Sequence, residues 1–170
     1  MQIEQWPDLT PICLRFYCRV EQLQEAWSET ILLLNGHVPN LERARFFGLW
    51  FDGWTHPDPE EGNYRYECAI LPQDPVKGEL PAPVFRRQLP GGLVAVSHAH
   101  GSTQQIETHW ETFGYGWLPF SGFQPRGEIA GIDEYPADLI LASKAKQALA
   151  LVKGMSMRLN LPIQQEILNY

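Results

Sequence analysis

Hydrophobic positions along the chain change period several times, and each change marks an element. Residues 9–20 (LTPICLRFYCRV) are rich in β-branched and aromatic side chains and predict a strand. Over 21–35, Leu23, Trp27, Ile31 and Leu34 recur at helical spacing, and Asn35-Gly36 supplies a stop. Residues 45–51 and 64–71 read as a strand pair joined by the Pro- and Asp-rich loop 52–63. The Pro- and Gly-rich stretch 72–92 reads as a crossover, with a short extended piece at 84–88. The order then repeats. A strand at 93–100 precedes a helix, opened by Ser102 or Thr103, that runs to about Trp117 with Ile106, Trp110, Phe113 and Trp117 as its apolar positions. A strand at 128–135 follows. Residues 138–153 (DLILASKAKQALALVK) then depart from the first half as an Ala/Leu/Lys helix closed by Gly154, and 155–162 form the last strand.

The two halves also agree residue by residue. At an offset of 83, Gln22 falls on Gln105, Leu23 on Ile106 and Trp27 on Trp110. Without a gap, Gly48-Leu49-Trp50 falls on Gly131-Ile132-Asp133. Two copies are too few for a solenoid and suit one α+β domain of two strand–helix–strand–strand halves, 9–72 and 84–163, with the helix 138–153 inserted in the second. The expected result is an antiparallel sheet with two main helices on one face and a cleft between them, where a small ligand binds.

Composition narrows the partners. A formal charge of −7 with no Lys/Arg cluster argues against direct contact with nucleic acid or an anionic membrane. No apolar run reaches membrane-spanning length, and the first residues, MQIEQWPDL, lack the basic and apolar regions of a secretory leader. Cys13, Cys18 and Cys68 have no metal-site spacing and leave one thiol over in any disulfide scheme, so free thiols in a reducing cytoplasm are expected. No cofactor is implied. Six Trp, eight Phe and six Tyr exceed what a plain core of this size needs and favour an aromatic binding site.

Several motifs resemble one known family. Leu89-Pro90-Gly91-Gly92-Leu93-Val94-Ala95-Val96 with His100-Gly101, then Trp117-Leu118-Pro119 with Ser121-Gly122, are similar to signatures of the GyrI-like small-molecule-binding domain. Arg65-Tyr66-Glu67 and Asp133-Glu134-Tyr135 resemble two of its strands, and the likeness runs from about Pro11 to Pro162. It implies a duplicated fold with an aromatic-walled groove between two helices and an acidic residue near the floor, suited to lipophilic cations. The family includes effector-binding halves of AraC-type and MerR-type regulators, proteins that protect DNA gyrase, and hydrolases of cyclopropane-bearing natural products. In this chain the acidic position two before the Tyr is Asp133, one methylene shorter than the family's usual Glu, and the helix 138–153 is an addition.

The candidate ligand-binding residues are therefore Asp133, Tyr135, Tyr66, Trp110, Trp50, Trp117 and Glu134. Strand alternation puts Trp50, Asp133 and Tyr135 on one face and sends Glu134 to the other unless a bulge shifts the register. Trp27 suits core packing. His98-x-His100 with His109 lacks a fourth ligand at metal-site spacing. No catalytic residue is assigned. The expected role is a stand-alone binding module that sequesters or senses a lipophilic aromatic or cationic compound. The alternatives are a hydrolase of reactive electrophiles, with Asp133 or Glu134 handling water, and an acidic gyrase-binding protein. A regulator or gyrase as protein partner, and a homodimer, complete the expectations.

Overall fold

The computed structural model describes residues 1–52, 63–142 and 155–165. Its strands are β1 (Gln2–Trp6), β2 (Ile12–Cys18), β3 (Arg45–Trp50), β4 (Tyr64–Leu71), β5 (Phe85–Arg86), β6 (Gly92–Gly101), β7 (Phe123–Pro125), β8 (Gly131–Tyr135) and β9 (Met155–Gln165). The helices are α1 (Leu23–Leu34), α2 (Thr103–Glu111) and the short α3 (Ala137–Ala142). They form the expected α+β arrangement: an antiparallel sheet ordered β1-β6-β9-β8-β3-β4-β2-β5, with β7 paired to the end of β9. Periodicity missed β1 and β7, which lie at a margin or against the tail of a longer strand and carry little alternation of their own. α2 is α-helical only to Glu111 and continues as a π-helical turn over Thr112–Trp117, where two glycines interrupt the pattern. Of the inserted helix expected at 138–153, α3 is its described beginning; 143–154 and the loop 53–62 lie outside the described residues.

The offset of 83 recurs in the geometry. Both main helices are preceded by the same contact: the Arg19 N–H donates to Gln22 Oε1 at 2.9 Å, and the Ser102 N–H to Gln105 Oε1 at 2.8 Å. Ile12 pairs with Ile70 in one half and Ala95 with Leu161 in the other; the first partners are 83 apart and the second 91, because the connection before the last strand is eight residues longer in the second half. The two halves meet at the sheet centre, where β3 and β8 run antiparallel with Leu49 opposite Ile132. One ladder breaks the repeat. Without a slip, Arg158 would stand opposite Ile132, as its counterpart Glu67 stands opposite Leu49; it stands opposite Glu134 instead. The slip is two residues, so every side chain keeps its face.

The sheet faces are chemically distinct. One packs on the helices through Phe46, Tyr66, Ile70, Leu159 and Leu161, all buried. The other holds a smaller apolar cluster of Cys13, Phe47, Leu49, Phe51 and Ala69, and here arginines do the covering. Arg45 lies over the rings of Trp6 and Phe47, and both Arg15 and Arg87 over Phe51. Glu67, fully buried on this face, anchors two of them: Arg15 Nε at 2.8 Å and Arg87 Nη2 at 2.6 Å donate to its Oε1. Removing that charge takes the buried counter-charge from both guanidiniums, leaving Arg87 with the exposed Glu128 and Arg15 with solvent. Glu67→Gln should lower unfolding stability by about 3 kcal/mol, read from the urea midpoint at unchanged slope.

Candidate functional site

A cavity of about 530 Å³ lies between α1 and α2, above the central strands. Its existence follows from how differently the two helices dock. α1 buries Ala26, Trp27, Thr30, Ile31 and Leu34, and the Thr30 hydroxyl donates to the Ala26 carbonyl at 2.8 Å, so nothing polar is stranded beneath it. α2 buries only Ile106. Its Trp110, at the position equivalent to Trp27, stays partly exposed and leans into the opening.

At the floor is Asp133, a buried carboxylate that accepts three hydrogen bonds. Trp50 Nε1 donates to Oδ2 at 2.7 Å, Trp110 Nε1 to Oδ1 at 2.8 Å, and the Tyr135 hydroxyl to Oδ2 at 3.1 Å. Behind Tyr135, its hydroxyl oxygen is 3.3 Å from that of Tyr66, which in turn accepts from Trp27 Nε1 at 3.2 Å. The hydrogens can be assigned by elimination. An indole only donates, and Tyr135 gives its proton to the carboxylate, so Tyr66 must donate to Tyr135. The chain Trp27–Tyr66–Tyr135–Asp133 therefore points every donor toward one anion, an arrangement in which each bond strengthens the next. Burial raises the Asp133 pKa above the ordinary carboxylate range, and its three donors oppose that rise. Burial, then the neighbouring acid groups, drives the Tyr66 and Tyr135 hydroxyls well above the usual phenol range, so both remain donors.

Of the residues expected here, Asp133, Tyr135, Trp50 and Trp110 line the cavity. Tyr66 does not touch it; fully buried, it supports the floor from below. Trp117 lies outside, packed between Phe113 and Phe123 at ring separations of 5.5 and 6.4 Å, because the π-helical turn carries it away from the α2 face. Glu134 is on the opposite sheet face, where Arg45 Nε donates to it at 2.8 Å and Arg158 lies opposite it in the β8–β9 ladder; no bulge shifts it into the groove. Sequence reasoning passed over Tyr64, edge-on to Trp50 at 5.7 Å, and Met155 and Met157. Tyr64 shares the strand face of Tyr66, a signal of alternation that was available. The methionines are the counterparts of Tyr64 and Tyr66 in the second half, visible only once the longer β8–β9 connection is allowed as a gap. Among the described residues no group of three or more His, Cys, Asp or Glu is arranged to hold a metal ion.

Two glycines make room for this arrangement, and they are the pair aligned by the repeat. A Cβ on Gly48 would sit 2.0 Å from the Tyr66 hydroxyl oxygen; one on Gly131 would sit 2.9 Å from the Trp110 ring. Gly48→Ala must displace a fully buried ring and should cost roughly 1–3 kcal/mol in thermal or urea unfolding. Gly131→Ala pushes only the edge of a partly exposed indole. It should leave stability nearly unchanged, while a shift in Trp emission reports loosening of the Trp110–Asp133 contact.

Similarity to known proteins agrees with this architecture. The model of the GyrI-like small molecule binding domain matches residues 1–130. The EcmrR C-terminal domain superposes with a TM-score of 0.68 at 12% identity, over 97% of each chain. In the structure of the EcmrR–DNA complex the match covers 57% of the EcmrR chain, so the present chain spans little more than half of that protein. SAV2435, solved bound to tetraphenylphosphonium, superposes with a TM-score of 0.59 at 14% identity, over 96% of this chain and 93% of that one. A hydrolase encoded by lin2189 from Listeria innocua gives 0.54 at 13%, over 96% and 91%. At these identities the superpositions speak for the fold alone, and no curated protein is similar enough to match. Among the described residues no helix is long and apolar enough to cross a membrane. With the family model covering more than half of the sequence, the chain belongs to the GyrI-like small molecule binding domain family.

Proposed function

We propose that the cavity takes up lipophilic aromatic cations, and that the protein sequesters such compounds or presents their occupancy to a partner regulator. The observation that carries this reading is the buried Asp133 carboxylate at the floor of an aromatic-walled opening. A cation gains from the carboxylate and from the ring faces of Trp50, Trp110 and Tyr64, in a site from which water is largely withdrawn. The exposed carboxylates Glu21, Glu107 and Glu111, which also border the cavity, favour approach of the same sign of charge. A relative of the same fold, SAV2435, is bound to tetraphenylphosphonium, which has this chemistry. Asp133 already accepts bonds on both oxygens and is suited to hold charge rather than to activate water, which favours binding over the hydrolase alternative.

Tetraphenylphosphonium should bind at one equivalent by titration calorimetry. Asp133→Asn should weaken it roughly tenfold to a hundredfold, leave triphenylphosphine oxide, a neutral aromatic of similar shape, little changed, and find no parallel in Glu134→Gln. Equal loss of both ligands, or none of either, overturns the assignment. Steady conversion of an electrophilic compound at protein far below substrate would establish the hydrolase instead.

Acidity gives an independent check. The cation needs Asp133 ionised, and burial raises its pKa, so affinity should be full above that raised value and fall as pH drops through it. The sign for stability is opposite. The folded state binds the proton more tightly than the unfolded chain does, so in the same window the unliganded protein should gain stability from Asp133 as pH falls. Calorimetric affinity and urea midpoint should therefore move in opposite directions as pH is lowered through the titration of Asp133.

A further inference from the structure

The sheet face turned away from α1 and α2 has its own cavity, about 250 Å³, closed by the chain before β2, the Pro90-Gly91-Gly92 turn and the segment between β7 and β8. Its lining is mostly apolar: Trp6, Leu9, Leu89, Val94, Ile129 and Ile132. The charged groups bordering it are Arg87, Arg126 and Glu128.

Charge pairing on this face singles out one of them. Arg15 and Arg87 meet Glu67, Arg45 meets Glu134, Arg65 meets Asp52, and Arg158 meets Glu4. Glu128 also borders the cavity, but its side chain is 72% exposed and engaged by Arg87 at 3.0 Å. Among the described residues Arg126 meets no carboxylate. Its Nη1 and Nη2 donate to the carbonyls of Gly91 at 2.6 Å and Pro90 at 3.3 Å, and its buried Nε finds no acceptor among them. The guanidinium is held flat against Gly92, whose φ of +135° and missing Cβ leave the space for it: a Cβ there would come within 2.9 Å of Cζ. A half-buried cation is thus fixed in place by neutral acceptors, beside an apolar cavity, with N–H groups to spare.

We propose that this cavity is a second ligand site, selective for a small lipophilic monocarboxylate. The carboxylate supplies the counter-charge that Arg126 lacks and matches the planar fork of the guanidinium, while an aryl or alkyl body replaces water against Trp6, Leu89 and Ile129. One unpaired guanidinium balances a monoanion and leaves a dianion half uncompensated, so phosphate monoesters are disfavoured. The site differs from the groove in face, in sign of charge and in residues, and does not depend on the reading of Asp133.

Naphthalene-2-carboxylate and its neutral carboxamide are the probes, titrated into the full chain by calorimetry. The carboxylate should bind at one equivalent at least tenfold more tightly than the carboxamide. This comparison is made on the unaltered protein, so it stands even if a variant folds poorly. Arg126→Met should remove the preference and Arg126→Lys retain part of it; Asp133→Asn and saturating tetraphenylphosphonium should leave carboxylate binding unchanged. Absence of binding, equal affinity for acid and amide, a preference that survives Arg126→Met, or displacement by tetraphenylphosphonium would each overturn the proposal.

Discussion

Everything about the groove depends on keeping one carboxylate charged where water does not reach it. Asp133 is buried beneath α2 and solvated by two indoles and a phenol in place of water. Each donor comes from a different part of the fold: Trp50 from β3, Trp110 from α2, Tyr135 from its own strand. Through Tyr66 and Trp27 the arrangement reaches β4 and α1 as well. The groups that define the site therefore also tie the two halves together across the β3–β8 pair. Such a network is high-stakes, since a missing member leaves a buried polar atom unpaired.

The opposite face solves a different problem. An antiparallel sheet with helices on one side exposes the other to solvent, and here that side carries Phe47, Phe51 and Leu49. Arginines spread over these rings and held by Glu67 and Glu134 give the cluster a cover with apolar undersides and charged edges. The two-residue slip in the β8–β9 ladder contributes, because it brings Arg158 opposite Glu134 in place of Ile132. Glu134, which the sequence put beside Asp133 as a rival for the same role, belongs to this cover.

How much could be read in advance differed by scale. Helical spacing of Leu23, Trp27, Ile31 and Leu34, and strand alternation around Phe46 and Tyr66, were strong because each periodic set faces one continuous core. β1 and β7 were invisible because short marginal strands bury too little to leave a pattern. The repeat was legible in Gln22/Gln105 and Trp27/Trp110 because helix starts and their anchoring rings obey local rules. What could not be read was depth. Two equivalent tryptophans differ in burial because α1 has a full apolar face and α2 does not, and only the packed structure says how far a helix stands off its sheet. Likewise Tyr66 looked like a wall residue by alternation, and burial made it part of the foundation.

The divergence between the copies has a consequence for how such a chain changes over time. In the first half the equivalent strand positions are Tyr64 and Tyr66; in the second they are Met155 and Met157. Where these positions border the groove, one jaw is thus the stiff aromatic edge of Tyr64, and the other is thioether, which reshapes by bond rotation at little cost. Duplication has let the same fold element be spent twice, once as anchor and once as adjustable surface. Variation confined to α2 and the methionine side can alter which compounds fit while the first half, with its more deeply packed helix, goes on holding the protein folded.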